Sequence, residues 1–432
     1  MNVYIFKNTF DCSFIDIKSG DWVVLKPNLI KECKANFPDE WEHVITSRQV
    51  IESVCEYVCQ RLSGKGKISI CDAPQTDSSF VKIAERLGLF DLATTYKQKY
   101  GIPIEIIDLR NEEWENEQEI ITQRRKLRGD PNGSIVFNLG RDSLFYGYHG
   151  EGRYYGADYD TQVVNQHHCG ETQEYLIAAT PIMADVFINL PKLKTHKKTG
   201  VTLSLKNLVG INADKNWLPH HTEGSPQNGG DQFPDQHLKH SVEQYAVKFV
   251  RNLALNVPYL GPAISKRLRR YGKKVFGDTS QVIRSGNWYG NDTTWRMTLD
   301  LNRCLLYGNP DGTLRQHDPK RYYTVIDGIV GMEGNGPVDG DPVHSGVIIA
   351  GTDPVATDMV AARVMGFDWR KIPVIREALQ LVSLPLAPIK PEDILVVSDQ
   401  AEWNGHFVDI ERQDFYHFKP HFGWQGHLEY EL

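Results

Sequence analysis

The segment Asn189-Leu190-Pro191-Lys192-Leu193-Lys194-Thr195-His196-Lys197-Lys198-Thr199-Gly200, running on to Leu205-Lys206-Asn207-Leu208-Val209-Gly210, decides how this chain is read. The apolar run that enters it, Ala184 to Leu190, has the length and bounding residues of a buried strand. Lys192, Lys194, His196, Lys197 and Lys198 follow at once, and beyond Thr199-Gly200 Ser204, Lys206 and Asn207 interrupt an otherwise apolar stretch. In open α/β sheets, ligands sit at the carboxyl ends of strands. A charge run is commonly a solvated turn. Here the cations lie between two apolar segments, which favours a site that holds an anion.

Outward from that segment, strands and helices alternate. Asp21 to Asn28 and Lys67 to Pro74 read as strands that end in a polar residue and a proline. Thr46 suits the N-cap of a helix spanning Val50 to Leu62, a second helix covers Phe80 to Leu89, and Ile104 to Leu109 is a third strand. Residues 111–130 are charged and read as a surface helix or loop. Residues 131–175, rich in Gly, Tyr, Asp and His, form a long loop of the kind that usually carries function. The alternation resumes with Tyr323 to Asp327, Gly346 to Ala350, a helix from Pro354 to Met365, another from Val374 to Leu381, and Ile394 to Val397. The expectation is a two-lobed α/β fold with largely parallel sheets. Its sections are an N-terminal α/β lobe (1–130), linking loops and a second α/β section with the Lys/His motif (131–210), a helical and loop insertion (211–320), and a C-terminal α/β section (321–432).

Composition narrows the function classes. The chain has 432 residues, 41% hydrophobic and 24% charged, with a formal net charge of −7. That balance is ordinary for a globular protein and argues against general nucleic-acid binding. There is no apolar run long enough to span a membrane, and Met1 to Lys7 begins like a strand instead of a secretory leader, so the expected location is cytoplasmic. The seven cysteines are scattered, with no CxxC, which argues against an iron–sulfur cluster. Within the insertion, residues 247–277 carry eight Lys or Arg and no acidic residue, interleaved with apolar side chains. Such a segment suits the inner face of a membrane or an anionic partner.

Candidate chemistry concentrates in a few places. Lys206, in apolar surroundings and near other cations, should have a depressed pKa, which suits a nucleophile or base. His196 is the companion acid/base group. Lys26, Asn28, Lys192, Lys194 and Asn207 are candidate anion contacts. The loop Asn212 to His221 and the stretch Gly224 to Asp231 are too dense in Asp, Asn, His and Gly for a helix or strand, which nominates His220, His221 and Asp231 as substrate contacts. The second Gly-rich loop, Asp327 to Pro337, adds Gly334 and Gly336, whose backbone could approach a phosphate or carboxylate. His167, His168, Asp214 and His221 are the candidate ligands should a divalent metal be bound. Asp353 reads as a helix cap before Pro354, with Asp358 on another face, so paired-carboxylate catalysis is not indicated. Ser204 lacks a GxSxG setting.

Taken together, Leu25-Lys26-Pro27-Asn28, Ile70-Cys71-Asp72-Ala73-Pro74, the Leu190 to Gly210 motif, Asp327-Gly328-Ile329 to Gly336-Pro337, and Ala350 through Asp358 to Gly366 resemble the family called domain of unknown function 362. They occur in order across nearly the whole chain. The Trp217 to His221 loop, Gly224 to Asp231 and Ser285 to Gly290 are similar to a branch that accompanies cell-surface polysaccharide genes. Some relatives carry a clustered-cysteine, ferredoxin-like module, which this sequence lacks. His196 and Lys206, ten residues apart, are also similar to the arrangement in the lactate racemase family, where a histidine and a lysine hold a nickel-pincer nucleotide. That likeness implies an α/β enzyme with its site in a cleft. The expectation is an enzyme acting on an anionic small molecule or lipid-linked substrate, with His196 and Lys206 as the reacting groups. The rival readings are a non-catalytic membrane-surface binding protein and a metal or redox-cofactor enzyme.

Overall fold

A computed structural model gives the architecture, describing residues 1–7, 10–35, 37–117, 120–157, 160–235, 283–410 and 415–430. The basic segment 247–277 lies outside the described residues.

One mixed sheet of twelve strands organises the molecule. In chain order these are β1 (Asn2–Phe6), β2 (Trp22–Pro27), β3 (Lys67–Asp72), β4 (Ile104–Asp108), β5 (Val186–Leu190), β6 (Lys192–His196), β7 (Gly200–Val201), β8 (Arg321–Glu333), β9 (Asp341–Val343), β10 (Val347–Gly351), β11 (Leu395–Ser398) and β12 (Gly405–His406). The spatial order is β12-β11-β1-β10-β8-β5-β2-β3-β4, with β6 and β9 added beside β8 and β7 beside β6. From β8 through β5, β2 and β3 to β4 every pairing is parallel. Strand β10 runs antiparallel to both β1 and β8, so the sheet is mixed. Strands from residues 1–130 and 321–432 thus share one sheet.

Side-chain alternation explains why both faces are covered. In β2, Val23 and Leu25 enter one apolar core while Val24 enters another. In β10, Val347 and Ile349 face the core that Val24 joins, and Ile348 and Ala350 the opposite one. Helix Arg48–Leu62 covers one face, its Val50, Ile51, Val54 and Val58 fully buried. Helices Thr294–Tyr307 and Pro354–Val364 cover the other; the first is buried at every position but Arg296 and the second at every position. Each fully buried Val or Leu contributes about 1.5–3 kcal/mol.

Several local expectations change. Ser47, not Thr46, caps the first helix, because the Thr46 hydroxyl accepts from Asn28 N–H (2.8 Å) and donates to the Leu190 carbonyl (2.6 Å). The helix at Phe80 stops at Arg86, and a separate helix, Leu89–Tyr100, begins after Gly88. The charged stretch after Asn111 forms a β-hairpin, Glu112–Glu117 with Ile120–Lys126, whose register sets Glu113 opposite Arg125 to form an ion pair. Within 131–175, strands Ser134–Asn138, Tyr154–Gly156 and Thr172–Ala178 and a helix Thr161–His167 replace the long loop. Strand β8 runs through Gly328 and Gly331, where the loop was placed. A Cβ at Gly331 would stand 2.9 Å from the Leu193 carbonyl, so close strand packing accounts for that glycine. Asp353 caps Pro354–Val364 as read, accepting from Val355 and Ala356 N–H at 2.8 Å.

The carboxyl ends of β2, β3 and β5 converge on a buried ion pair, Lys26 with Asp72 at 2.7 Å. Asp72 also accepts from Leu29 N–H at 2.7 Å. Gly210 backs the pair: a Cβ there would stand 2.0 Å from Asp72 Oδ1 and 2.6 Å from Lys26 Nζ. Gly210→Ala must therefore pry apart two buried charges. The expected loss is about 3 kcal/mol, read as a lower urea midpoint at unchanged slope. A midpoint equal to wild type would show that the pair can move aside freely.

Candidate functional site

Strands β5 and β6 are separated only by Pro191, and their residues from Val186 to His196 are buried. That burial forces each basic side chain of β6 to find a partner inside the protein, because an isolated buried charge costs several kcal/mol. Lys192 finds Asp327 of β8 at 2.9 Å, with both side chains fully buried. Asp327 also accepts from Ser47 N–H at 2.7 Å and Ile329 N–H at 3.0 Å. Among the described residues, Lys194 meets no carboxylate. Its ammonium donates to Asn28 Oδ1 (2.9 Å), the Val44 carbonyl (2.8 Å) and the Pro337 carbonyl (3.1 Å). Burial, then the neighbouring Lys192 charge, holds its pKa well below the usual lysine range.

Asn28 and Asn207 join a buried amide ladder. Asn28 Nδ2 donates to Asn207 Oδ1 at 2.8 Å, Asn207 Nδ2 to Asn189 Oδ1 at 2.7 Å, and Asn189 Nδ2 to the Tyr322 hydroxyl at 2.7 Å. Both amides named as substrate contacts are thus engaged with protein groups. The ladder ties β2, β5 and β8 to the short helix Leu203–Asn207.

That helix carries Lys206. It starts from Leu203 at φ +48°, a left-handed conformation costly for a residue with a Cβ. Asp358, reaching from Pro354–Val364, compensates by accepting from Ser204 N–H (2.7 Å) and Leu205 N–H (2.9 Å). Burial raises the Asp358 carboxyl to about 7, against the pull of those donors. Asn302 Nδ2 donates to the Leu205 carbonyl at 3.0 Å from the other flank. Asp358 and Asn302 thus hold Ser204 and Leu205, just before Lys206, from two sides.

Lys206 is 7% exposed, and among the described residues its ammonium has no hydrogen-bond or ion-pair partner. Burial lowers its pKa to about 7, with Lys215, Lys198 and Lys26 adding repulsion. His196 and His220 lie within its field. Both are held well below the usual histidine range, first by burial and then by the Lys206 charge. His196 Nδ1 accepts from Lys198 N–H at 3.1 Å, so in the neutral ring the proton sits on Nε2. His220 Nδ1 faces the Leu218 carbonyl at 3.0 Å and must donate, which leaves a lone pair on Nε2. Lys198 donates to the Ser285 carbonyl at 2.5 Å and lies 3.3 Å from His221 Nδ1; burial brings its pKa to about 7.

The remaining named residues have structural employment. Asp231 accepts from Thr222 N–H (2.6 Å), Asp292 N–H (2.8 Å) and Thr293 N–H (2.8 Å), so it knots the strand Pro219–Thr222 to the start of Thr294–Tyr307. Gly336 lies against Thr195, where a Cβ would stand 2.0 Å from the carbonyl oxygen, and Gly334 at φ +71° turns the chain with open space beside it. The proposed metal ligands do not assemble. His168 binds Gln173 and the Trp217 carbonyl, His167 pairs with Glu174 at 2.8 Å, Asp214 caps the turn at Lys215–Trp217, and His221 stacks on Tyr155. Among the described residues, no three His, Cys, Asp or Glu are grouped to hold an ion. Sequence reading missed the C-terminal stretch. Trp424 Nε1 donates to the Lys197 carbonyl at 2.9 Å, and its ring and Leu428 lie against Gly200, covering the β6–β7 turn. The glycine and aromatics of Phe422-Gly423-Trp424 were its signal.

The family pattern described as a domain of unknown function, DUF362, matches residues 23–129 and 127–363. The chain belongs to the DUF362 family. A curated relative, the thylakoid-associated protein sll1697 of Synechocystis sp. (strain ATCC 27184 / PCC 6803 / Kazusa), is 24% identical over 204 residues, 47% of this chain. The match covers 40% of that relative's length. No solved structure matches the chain. Within this DUF362 chain, the β2, β3 and β5 ends, the β6–β7 turn and the Lys206 helix all fall inside the matched residues.

Lys206 supplies a stability test whose sign follows from its depressed pKa. The unfolded chain keeps this lysine charged up to the ordinary value of 10.5, whereas the folded protein releases the proton near 7. The penalty is full below pH 7 and fades as pH rises to 10.5. Lys206→Met, similar in volume and uncharged, is expected to raise stability by a few kcal/mol at pH 6. The gain should shrink steadily towards pH 10, measured by urea unfolding across that range. A variant less stable than wild type at pH 6 would contradict an unpaired buried amine.

Proposed function

We propose that this chain is an enzyme acting on an anionic substrate, carboxylate or phosphate, bound over Lys206, His196 and His220. What carries the reading is the positive charge left over at the carboxyl ends of the parallel strands. Lys26 and Lys192 each have an aspartate, but among the described residues Lys194 and Lys206 have none. An anion entering beside Lys206 meets an unsatisfied ammonium, the Nε2–H of His196 and the Lys198 charge. Such preformed donors in a low-dielectric setting are worth more than in water. His196 and His220, one presenting a proton and the other a lone pair, suit acid and base work on the same substrate. Phosphorylated sugars, including those of cell-surface polysaccharide assembly, fall within this class.

A second reading is attachment to a membrane surface through the basic segment 247–277. It draws on that segment's composition and on the thylakoid association in the name of the Synechocystis relative. Among the described residues no helix is long and apolar enough to cross a membrane.

Oxalate and inorganic phosphate test the first reading. Either should raise the melting temperature of the full chain, by about 2.7 kcal/mol of stabilisation at a hundredfold excess over Kd. Because Lys206 and Lys198 gain protons as pH falls through about 7, affinity should strengthen from pH 8.5 to 6. Lys206→Met should lose most of that gain. No stabilisation by either anion at pH 6, or equal stabilisation of the variant, would refute the site.

A further inference from the structure

We propose that Lys206 forms an imine with an anionic carbonyl compound, a 2-oxo acid or a phosphorylated aldehyde, with His196 and His220 moving its protons. The proposal rests on the anion reading above and narrows it. A structural lysine would be expected to spend its ammonium as Lys194 does, on three acceptors within 3.1 Å. Lys206 spends its on none among the described residues, although Asp358 and Asn302 hold its helix at Ser204 and Leu205 from two sides. A buried amine on a firmly held helix, without a partner among the described residues, is positioned for one that arrives from outside. Burial, and then repulsion from Lys215, Lys198 and Lys26, keeps much of it neutral near pH 7, the form that attacks carbon.

The two histidines supply the rest of the step. The neutral amine nitrogen bonds to the carbonyl carbon, and the carbonyl π pair moves to oxygen. His196 Nε2–H protonates that oxygen, while the lone pair of His220 Nε2 takes a proton from nitrogen, giving a carbinolamine. The hydroxyl then leaves as water with a second proton, returned through His220, and the nitrogen lone pair closes the C=N bond. His196 recovers its proton as the nitrogen loses its last one, so amine plus carbonyl gives imine plus water with no oxidant or reductant. The anionic group of the substrate meets the Lys198 charge.

Reductive trapping tests this on the full 432-residue chain. Pyruvate and glycolaldehyde phosphate are each incubated with sodium cyanoborohydride, whose hydride converts an imine to a stable secondary amine, and modified lysines are mapped by peptide mass spectrometry. With at least one probe, Lys206 should be modified at least tenfold faster than any other lysine. Lys206→Arg should abolish the adduct, and His196→Gln should slow it at least tenfold with an unchanged melting temperature. Modification of Lys206 by neither probe, or no faster than a surface lysine, overturns the proposal. Oxalate stabilisation without trapping would sink the imine and leave the anion site standing. Trapping without oxalate stabilisation would do the reverse.

Discussion

Desolvation of lysine is the constraint around which this protein is arranged. An ammonium moved out of water loses several kcal/mol even after relaxation, and the fold must answer that for each lysine it buries. Three answers lie side by side. Lys26 and Lys192 are neutralised by aspartates from neighbouring strands. Lys194 is solvated by an amide and two main-chain carbonyls, which satisfy its donors and leave its charge uncancelled. Lys206 receives no answer among the described residues. The series runs from neutralised to solvated to unmet, and the unmet member is the one near two histidines.

Sheet topology makes the gradient possible. Parallel pairing from β8 through β5 and β2 to β3 brings strand ends together on one edge, so Asp72, Lys26 and the Lys192–Lys194 stretch meet although they are far apart in sequence. Asp327 reaches Lys192 because β6 continues alongside β8 after Pro191. The Lys206 helix is too short to be stable alone, at five residues with a left-handed first residue. It exists because Asp358 and Asn302 hold it from two long buried helices. Rigidity at Lys206 is thus borrowed from the core covering that face of the sheet.

The sequence showed the fold class and the centre of the site more clearly than the connections. Ala184 to Leu190 followed by alternating lysines could be read as a buried strand leading to cations, because apolar length and abrupt charge are local signals. The environment of Lys206 was legible for the same reason: apolar neighbours and nearby lysines lie within a dozen positions. Which lysines would be neutralised was not, since Asp72 and Asp327 become partners only through strand order. Asn28 and Asn207 looked like substrate contacts because an exposed amide and a laddered amide have identical sequences. The histidine pairs suggested metal by composition, yet His167, the last residue of its helix, and His168, just beyond it, turn to separate partners. The helix Leu89–Tyr100 was hidden by its short spacing from the one before it, and the hairpin at Glu112 by charges that suggested a solvated helix.

A lysine whose proton affinity matches neutral pH has two contradictory uses. Protonated, it holds an anion; neutral, it attacks carbon. The pKa alone cannot choose between them, but its neighbours can. If Lys206 served only as a structural charge, the fold would be expected to surround its ammonium with acceptors, as it does at Lys194. Two neutral histidines would add little to charge binding, because burial and the Lys206 field oppose their protonation. They add a great deal to proton movement. The Lys198 amide and the Leu218 carbonyl fix their tautomers in opposite senses, so one offers a proton while the other can accept one. A site built for charge alone has no need of that asymmetry; a site that adds nitrogen to a carbonyl and expels water needs it twice.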